Sequence, residues 1–397
     1  MKRRKRLLIL LTCIAFLLSG TLSLAENGNP AGYSAKNNAL RASADKIPVK
    51  SIMSQSAVVA DQIVPGKLVV KFKDGTVSVR SKSLQSMASG TVKSLEYAGS
   101  GDVALVNLSE NANIEEAIEQ ISKQPNVEFV EPLYIFRAYS ADTGEKQLLT
   151  GTVYETVTQS VYGPDDPYYL KKWQWGLQAI NVTDIWERVP VDKRSSVTIA
   201  VIDTGVDVDH EDLKDSIVAG YDFVNQDDNP DDDNGHGTHV AGIAAAITNN
   251  GKGIAGVAGG AKIMPVKVLN AKGVGTSLDV YLGIMYAVNN GADVINLSLG
   301  SQIPSLLVKE AVDYALANDV VVVAASGNDY SEMVGYPAAF DGVIAVGAVD
   351  YYFGNYMYTA SFSNYGSELD ITAPGVDIFS TFPYELDTFD GLQDGYT

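Results

Sequence analysis

Cysteine is all but missing from this chain: Cys13 is the only one in 397 residues. It lies in an apolar stretch near the N-terminus, so the folded part can hold neither a disulfide nor a cysteine-based zinc site. Basic charge is scarce as well. Lys and Arg number 29 against 48 Asp and Glu, for a net charge of −19. That excludes nucleic acid as the natural partner, because phosphate binding needs a basic face. No Walker loop is present, and no Gly-X-Gly-X-X-Gly follows a strand. Long hydrophobic runs are missing too. The run at 7–18 follows the basic residues 2–6 and precedes the small residues Ser23 and Ala25. It is too short for a membrane span and has the pattern of a secretory signal peptide, with an uncleaved anchor as the alternative. A secreted, extracellular protein without a stable membrane anchor is expected. Cleavage after Ala25 leaves 24 basic and 48 acidic residues, or −24.

What is present is enough for a sizeable core, with 46% apolar residues. Residues 1–25 are read as the signal peptide and 26–62, polar and small, as a flexible leader. Residues 63–137 form a compact α+β unit. Its strands are expected at 67–72, 102–108 and 127–136. Its helix carries Ile114, Ala117, Ile118 and Ile121 at helical spacing after the capping candidate Asn113. Residues 138–164 lack periodicity and read as a linker. From 165 to 397 apolar strands alternate with helices, the signature of a buried parallel sheet with right-handed crossovers. Strands are expected at 197–203, 262–269, 293–299, 320–325 and 343–349, and helices at 236–248, 277–290 and 304–318.

Histidine is scarce: His210, His236 and His239 only. Asp203 ends an expected strand, in Val201-Ile202-Asp203-Thr204-Gly205, and active sites of parallel sheets gather at such ends. His236 opens an expected helix, within Gly235-His236-Gly237-Thr238-His239. A buried aspartate beside an imidazole fixes its tautomer and stabilises its protonated form. The histidine can then take a proton from a nucleophile and return it to a leaving group.

At these residues the chain resembles the subtilisin-like serine proteases, in which an aspartate, a histidine and then a serine follow in that order. The resemblance implies an α/β fold: a parallel-sheet catalytic domain preceded by a small α+β, ferredoxin-like inhibitory propeptide. It implies a secreted zymogen acting on protein or peptide substrates, with Asp203 orienting and His236 as general base. Ala324-Ala325-Ser326-Gly327-Asn328 resembles the oxyanion segment, with Asn328 aimed at developing negative charge. Ser298, Leu299 and Gly300 resemble the strand that pairs with substrate backbone, and Gly273 and Gly275 the facing edge. Asn126–Pro132 resembles the propeptide, which would block the cleft as an intramolecular inhibitor, and the maturation cut is expected between Arg137 and Pro164. Gly275-Thr276-Ser277 superficially matches a nucleophile motif, but Leu and Asp follow, and Ser277 is read as a helix cap.

Calcium is a candidate structural ion. The thermitase-like branch of the family would place ligands at Asp166, Asp212 and Asn250. The acidic segment holding Asp222, Asp227, Asp228, Asp231, Asp232 and Asp233 could bind a hard cation or be a solvated loop. Ala373–Ile378 resembles the segment upstream of the family's serine, but no serine in a Gly-Thr-Ser-Met-Ala context follows before Thr397. The expectation is an incomplete sequence or a natural truncation of an ordinary protease, inert toward casein and fluorophosphonates as written. A non-catalytic peptide-binding or protease-inhibiting module is the alternative from another class. A metal hydrolase using His236 and His239 is a third, for which two histidines make no recognisable ligand set.

Overall fold

The computed structural model describes residues 60–73, 91–98, 101–140, 163–352, 356–387 and 393–397. The expected signal peptide, almost all of the leader and most of the expected linker lie outside them. The chain divides into two compact units, with the boundary between Ile135 and Phe136.

The N-terminal unit contains strands β1 (Ile63–Phe72), β2 (Val92–Ala98) and β3 (Val103–Leu108), helix α1 (Ile114–Ser122) and strand β4 (Val127–Ala138), whose last residues cross the boundary. The strands pair antiparallel in the order β4-β1-β3-β2, the ferredoxin-like order. Alternate residues Leu68 and Val70 of β1 and Ala104 and Val106 of β3 share one core with Ala117 and Ile121 of α1. The helix begins where expected, because Asn113 Oδ1 accepts from the Glu116 main-chain N–H at 2.9 Å and Glu115 and Glu116 fill the first turn.

The C-terminal unit is built on a sheet in the order β13-β12-β11-β9-β5-β7-β6, with β14 also on β12. These are β5 (Thr198–Asp203), β6 (Tyr221–Asp222), β7 (Lys262–Lys267), β9 (Val294–Leu297), β11 (Val321–Ala325), β12 (Ile344–Tyr352), β13 (Tyr356–Thr359) and β14 (Ile371–Pro374). All neighbours are parallel except β12 and β13. Helices α2 (His236–Ala245), α3 (Ser277–Asn289) and α4 (Leu306–Ala317) form the crossovers, and β8 (Val274–Thr276) and β10 (Leu299–Gly300) stand off the sheet. No described helix is long and apolar enough to cross a membrane.

Four expectations need correction. The strand expected at 293–299 breaks at Ser298: β9 stays in the sheet while β10 pairs antiparallel with Arg137 and Ala138. Ala138 therefore ends a strand and does not begin a linker. Ser277 is the first residue of α3 and not its cap. Thr276 is the cap, and Asp279 completes a capping box by accepting from the Thr276 main-chain N–H at 3.0 Å. The helix expected at 236–248 stops at Ala245, where Ala246 turns to an extended conformation.

Candidate active site

Asp203 is the last residue of β5, at the carboxyl end of the central strands, and its side chain is fully buried. The chain then runs through the acidic loop and returns as α2. Asp232 closes that excursion. Its carboxylate accepts from Thr204 Oγ1 (2.8 Å), from the Gly235 and Thr238 main-chain N–H groups (3.0 and 2.9 Å) and from Thr238 Oγ1 (2.7 Å). Both ends of the loop are tied to one buried carboxylate, and His236 arrives with Nδ1 at 2.6 Å from Asp203 Oδ1. The Thr204 main-chain N–H donates to the same oxygen at 2.7 Å. Lys267, opposite Asp203 across β5 and β7, is buried and bonds the Thr204 and Leu269 carbonyls and the Asp233 carboxylate.

Burial pulls the His236 imidazole down. The Asp203 charge and hydrogen bond, followed by Asp232 and the Tyr139 main chain, more than offset it, so its pKa lies above 6.5. His239 is different: burial drives it down to about 4, and its Nε2 bonds the Ile378 carbonyl at 2.9 Å. His239 is thus a neutral ring whose Nε2 is engaged by a main-chain carbonyl. His210 bonds the Gly395 carbonyl at 2.8 Å and burial lowers its pKa. Among the described residues, no group of three or more His, Cys, Asp or Glu is placed to hold a metal.

Residues 136–140 lie in the same unit as this dyad. Ala138 and Arg137 pair with Leu299 and Gly300. The Ala138 N–H donates to the Gly273 carbonyl at 2.9 Å, and the Tyr139 N–H to the Ser298 carbonyl at 3.0 Å. An extended segment is thereby held at two backbone edges, as in β-augmentation. Phe136 is buried and Arg137 exposed, and the Tyr139 ring enters a slot between Gly300 and Gly335. A Cβ at either glycine would clash with the Tyr139 hydroxyl oxygen, so the slot exists because both lack one. Burial, and secondarily the Asp329 charge, raises the Tyr139 pKa. The Tyr139 main chain also hydrogen-bonds His236, which brings the Tyr139–Ser140 peptide to the dyad. Gly275 lies in β8 but backs onto the Val268 carbonyl. Asn328 follows Gly327 at the slot, and its side chain makes no hydrogen bond among the described residues.

The expected metal residues also meet. The Asp166 carboxylate accepts from the Asn249 N–H at 2.8 and 3.0 Å and from the Asn250 N–H at 3.4 Å. Asp212 accepts from Asn250 Nδ2 at 2.7 Å and the Ile254 N–H at 2.9 Å. Both carboxylates are fully buried, and burial pushes Asp166 up to about 6 and Asp212 to about 7. The acidic loop is otherwise engaged. Asp222 accepts from the Val224 and Asn225 N–H groups and Asn225 Nδ2, Asp232 forms the network above, and Asp233 pairs with Lys267.

Sequence reasoning missed Tyr139 and Gly335, and took Asp232 only as one member of an acidic segment. The pair Asp232–His236 is visible as a spacing, but nothing local marks Asp232 as the loop's anchor.

Residues 194–393 match the subtilase family (peptidase S8), and residues 50–132 match the fervidolysin N-terminal prodomain. The chain is 41% identical over 320 residues to a thermophilic serine proteinase of Bacillus sp. (strain AK1), covering 80% of this chain and 71% of that one. It is 45% identical over 222 residues to thermitase of Thermoactinomyces vulgaris, covering 56% and 77%. The crystal structure of fervidolysin from Fervidobacterium pennivorans, a keratinolytic enzyme related to subtilisin, superposes with a TM-score of 0.66 at 31% identity. That match covers 82% of this chain and 49% of fervidolysin, so the chain spans about half of fervidolysin's length. With the Asp–His dyad at the carboxyl end of a parallel sheet and a prodomain before it, the chain belongs to the subtilase family of serine endopeptidases.

Proposed function

We propose that the site cleaves extended polypeptides by acyl transfer, with Asp203 orienting His236, His236 as general base and then general acid, and Asn328 donating to the oxyanion. Gly273 on one side and Ser298 to Gly300 on the other would hold the substrate backbone. The single observation that carries this reading is the bound segment itself. Arg137–Tyr139 pairs with both edges, and the Tyr139 main chain bonds His236. On attack at such a carbonyl, its oxygen takes the negative charge. His236 removes the nucleophile's proton and passes it to the departing nitrogen. Residues 1–397 contain no serine in the family's Gly-Thr-Ser-Met-Ala context. The test is therefore made on protein produced from the native gene: casein cleavage and fluorophosphonate labelling are expected, and both should fail in Asp203→Asn and His236→Ala. Peptide binding with no turnover and no labelling would favour the non-catalytic module instead.

The same geometry favours a maturation cut between Tyr139 and Ser140, with the prodomain's terminal strand as an internal inhibitor. N-terminal sequencing of the first processed species should begin at Ser140; a first cut anywhere in 141–164 would contradict it. Tyr139→Asp should slow processing at least about tenfold, since an unpaired carboxylate in the slot, close to Asp329, is disfavoured by more than ~1.4 kcal/mol. Residues 1–25 would act as a secretory signal, which makes the mature enzyme extracellular.

Asp166, Asp212 and Asn250 fit a calcium ion. Their donors are hard oxygens, and the two buried carboxylates are the kind of charge a cation would offset. Binding would clamp the segment before β5 to the loop after α2. At 100 times its Kd, calcium should stabilise the protein by about 2.7 kcal/mol. Asp212→Asn should remove most of that gain. A melting temperature indifferent to chelator would rule the site out.

A further inference from the structure

Asn364 lies 36 residues beyond Asn328 in sequence, yet its side chain touches the loop on both sides of it. Asn364 Oδ1 accepts from the Asp329 N–H at 2.8 Å and the Ser331 N–H at 3.1 Å, and Nδ2 donates to the Ser326 carbonyl at 3.1 Å. Its main chain joins in. The Asn364 N–H donates to the Gly327 carbonyl at 2.9 Å, and its carbonyl accepts from Ser326 Oγ at 3.2 Å. Gly327, at φ +112°, leaves room for this: a Cβ there would clash with Asn364 Nδ2. The clamp is itself anchored to the sheet. Ser363 Oγ accepts from the Ala348 N–H at 2.9 Å, and the Ala360 N–H donates to the Ala348 carbonyl at 2.9 Å. Asn364 is only 2% exposed, so water does not compete for these bonds.

We propose that Asn364 is a positioning residue for catalysis: it fixes the 326–331 loop so that the Asn328 amide meets the oxygen of the reacting carbonyl. Residues 326, 327, 329 and 331 are all held by this one side chain and its backbone, while the Asn328 side chain itself is left without a partner among the described residues. A preorganised donor needs such an arrangement, because an amide that must reorient during the reaction stabilises the oxyanion less. An aspartate at 364 would keep the acceptor for the two N–H groups but lose the donor to Ser326. An alanine would lose all three bonds.

This inference rests on the reading of Asn328 as the oxyanion donor, and a double-mutant cycle on protein from the native gene separates the two. Asn364→Ala should lower kcat by about 10- to 100-fold, the scale of a small misplacement at a reacting centre. KM should stay within about threefold, because the loss falls on the transition state. In an Asn328→Ala background the same change should cost less than about twofold, since the group being positioned is gone. Asn364→Asp should fall between wild type and alanine, and it carries the same cycle should Asn364→Ala fail to fold. Equal losses in both backgrounds, or no loss in kcat from either variant, would overturn the proposal while leaving Asn328's role intact. An Asn328→Ala enzyme with unchanged kcat would instead overturn the oxyanion reading, and this one with it.

Discussion

Replacing His236 by alanine is expected to lower kcat of the native gene product by about 10⁴–10⁶, with casein cleavage and single-turnover acylation both affected. That size is the one known for triad residues of subtilisin-type enzymes. The geometry adds the absence of a substitute. His239 is held at the Ile378 carbonyl with its pKa driven down to about 4, and His210 is held at the Gly395 carbonyl, so neither can swing to the dyad. Lys267 is buried among two carbonyls and Asp233. Asp203→Asn should cost about 10⁴, because an amide no longer enforces the tautomer with the proton on Nδ1. Residual cleavage within tenfold of wild type in His236→Ala would mean another group is the base.

Asn328→Ala should lower kcat about 10²–10³-fold and leave KM nearly unchanged. The magnitude is the one known for the oxyanion donor of subtilisin-type enzymes. The split between kcat and KM follows from the site. The chain's own segment at the site is held by main-chain bonds to Gly273 and Ser298 and by enclosure of the Tyr139 ring in the slot, and a substrate bound in the same way would rely on these contacts. Asn328 contributes to none of them. Its amide would act only once the carbonyl oxygen carries charge, so removing it should slow the chemistry without loosening the complex. A raised KM with unchanged kcat would show that Asn328 is part of the slot wall alone.

Much of this site is legible in the sequence, and the reason differs residue by residue. The apolar run 199–202 ends at Asp203, and in a parallel sheet the carboxyl end of a strand is where chemistry collects. The helix at His236 is marked by its small, apolar face. Asn113 is legible as a cap because capping is a contact over three residues, and Glu116 lies three residues away. Ser277 misleads for the same local reason. Thr276, Ser277 and Asp279 all carry capping chemistry, and only the backbone angles choose Thr276. Short elements escape altogether: β6 is two residues long, and the helices between Pro167 and Arg194 span four to seven residues each, too few for a period.

The remainder is hidden because it depends on contacts distant in sequence. The acidic loop's composition fits an ion site and an anchoring network equally. Only the placement of Thr204, Thr238 and Lys267 shows that Asp232 and Asp233 serve as anchors. Asn364 carries no local signal, because its partners lie at 326, 327, 329 and 331. Tyr139 sits in a stretch without periodicity, and its importance comes from two glycines far along the chain that leave space for its ring.

The most direct measurement is the pH dependence of the fluorophosphonate labelling rate, made on wild type and His236→Ala side by side. A general base must be neutral to work. The Asp203 carboxylate raises the His236 pKa above 6.5, so the base is protonated and idle below that value and is released as pH rises through its raised pKa. The expected result is a single acid limb with its midpoint above pH 6.5, at one label per chain, and no measurable limb in His236→Ala. A rate independent of pH between about 5 and 8, or a limb that persists unchanged without His236, would contradict the assignment of Asp203 and His236 as the working pair.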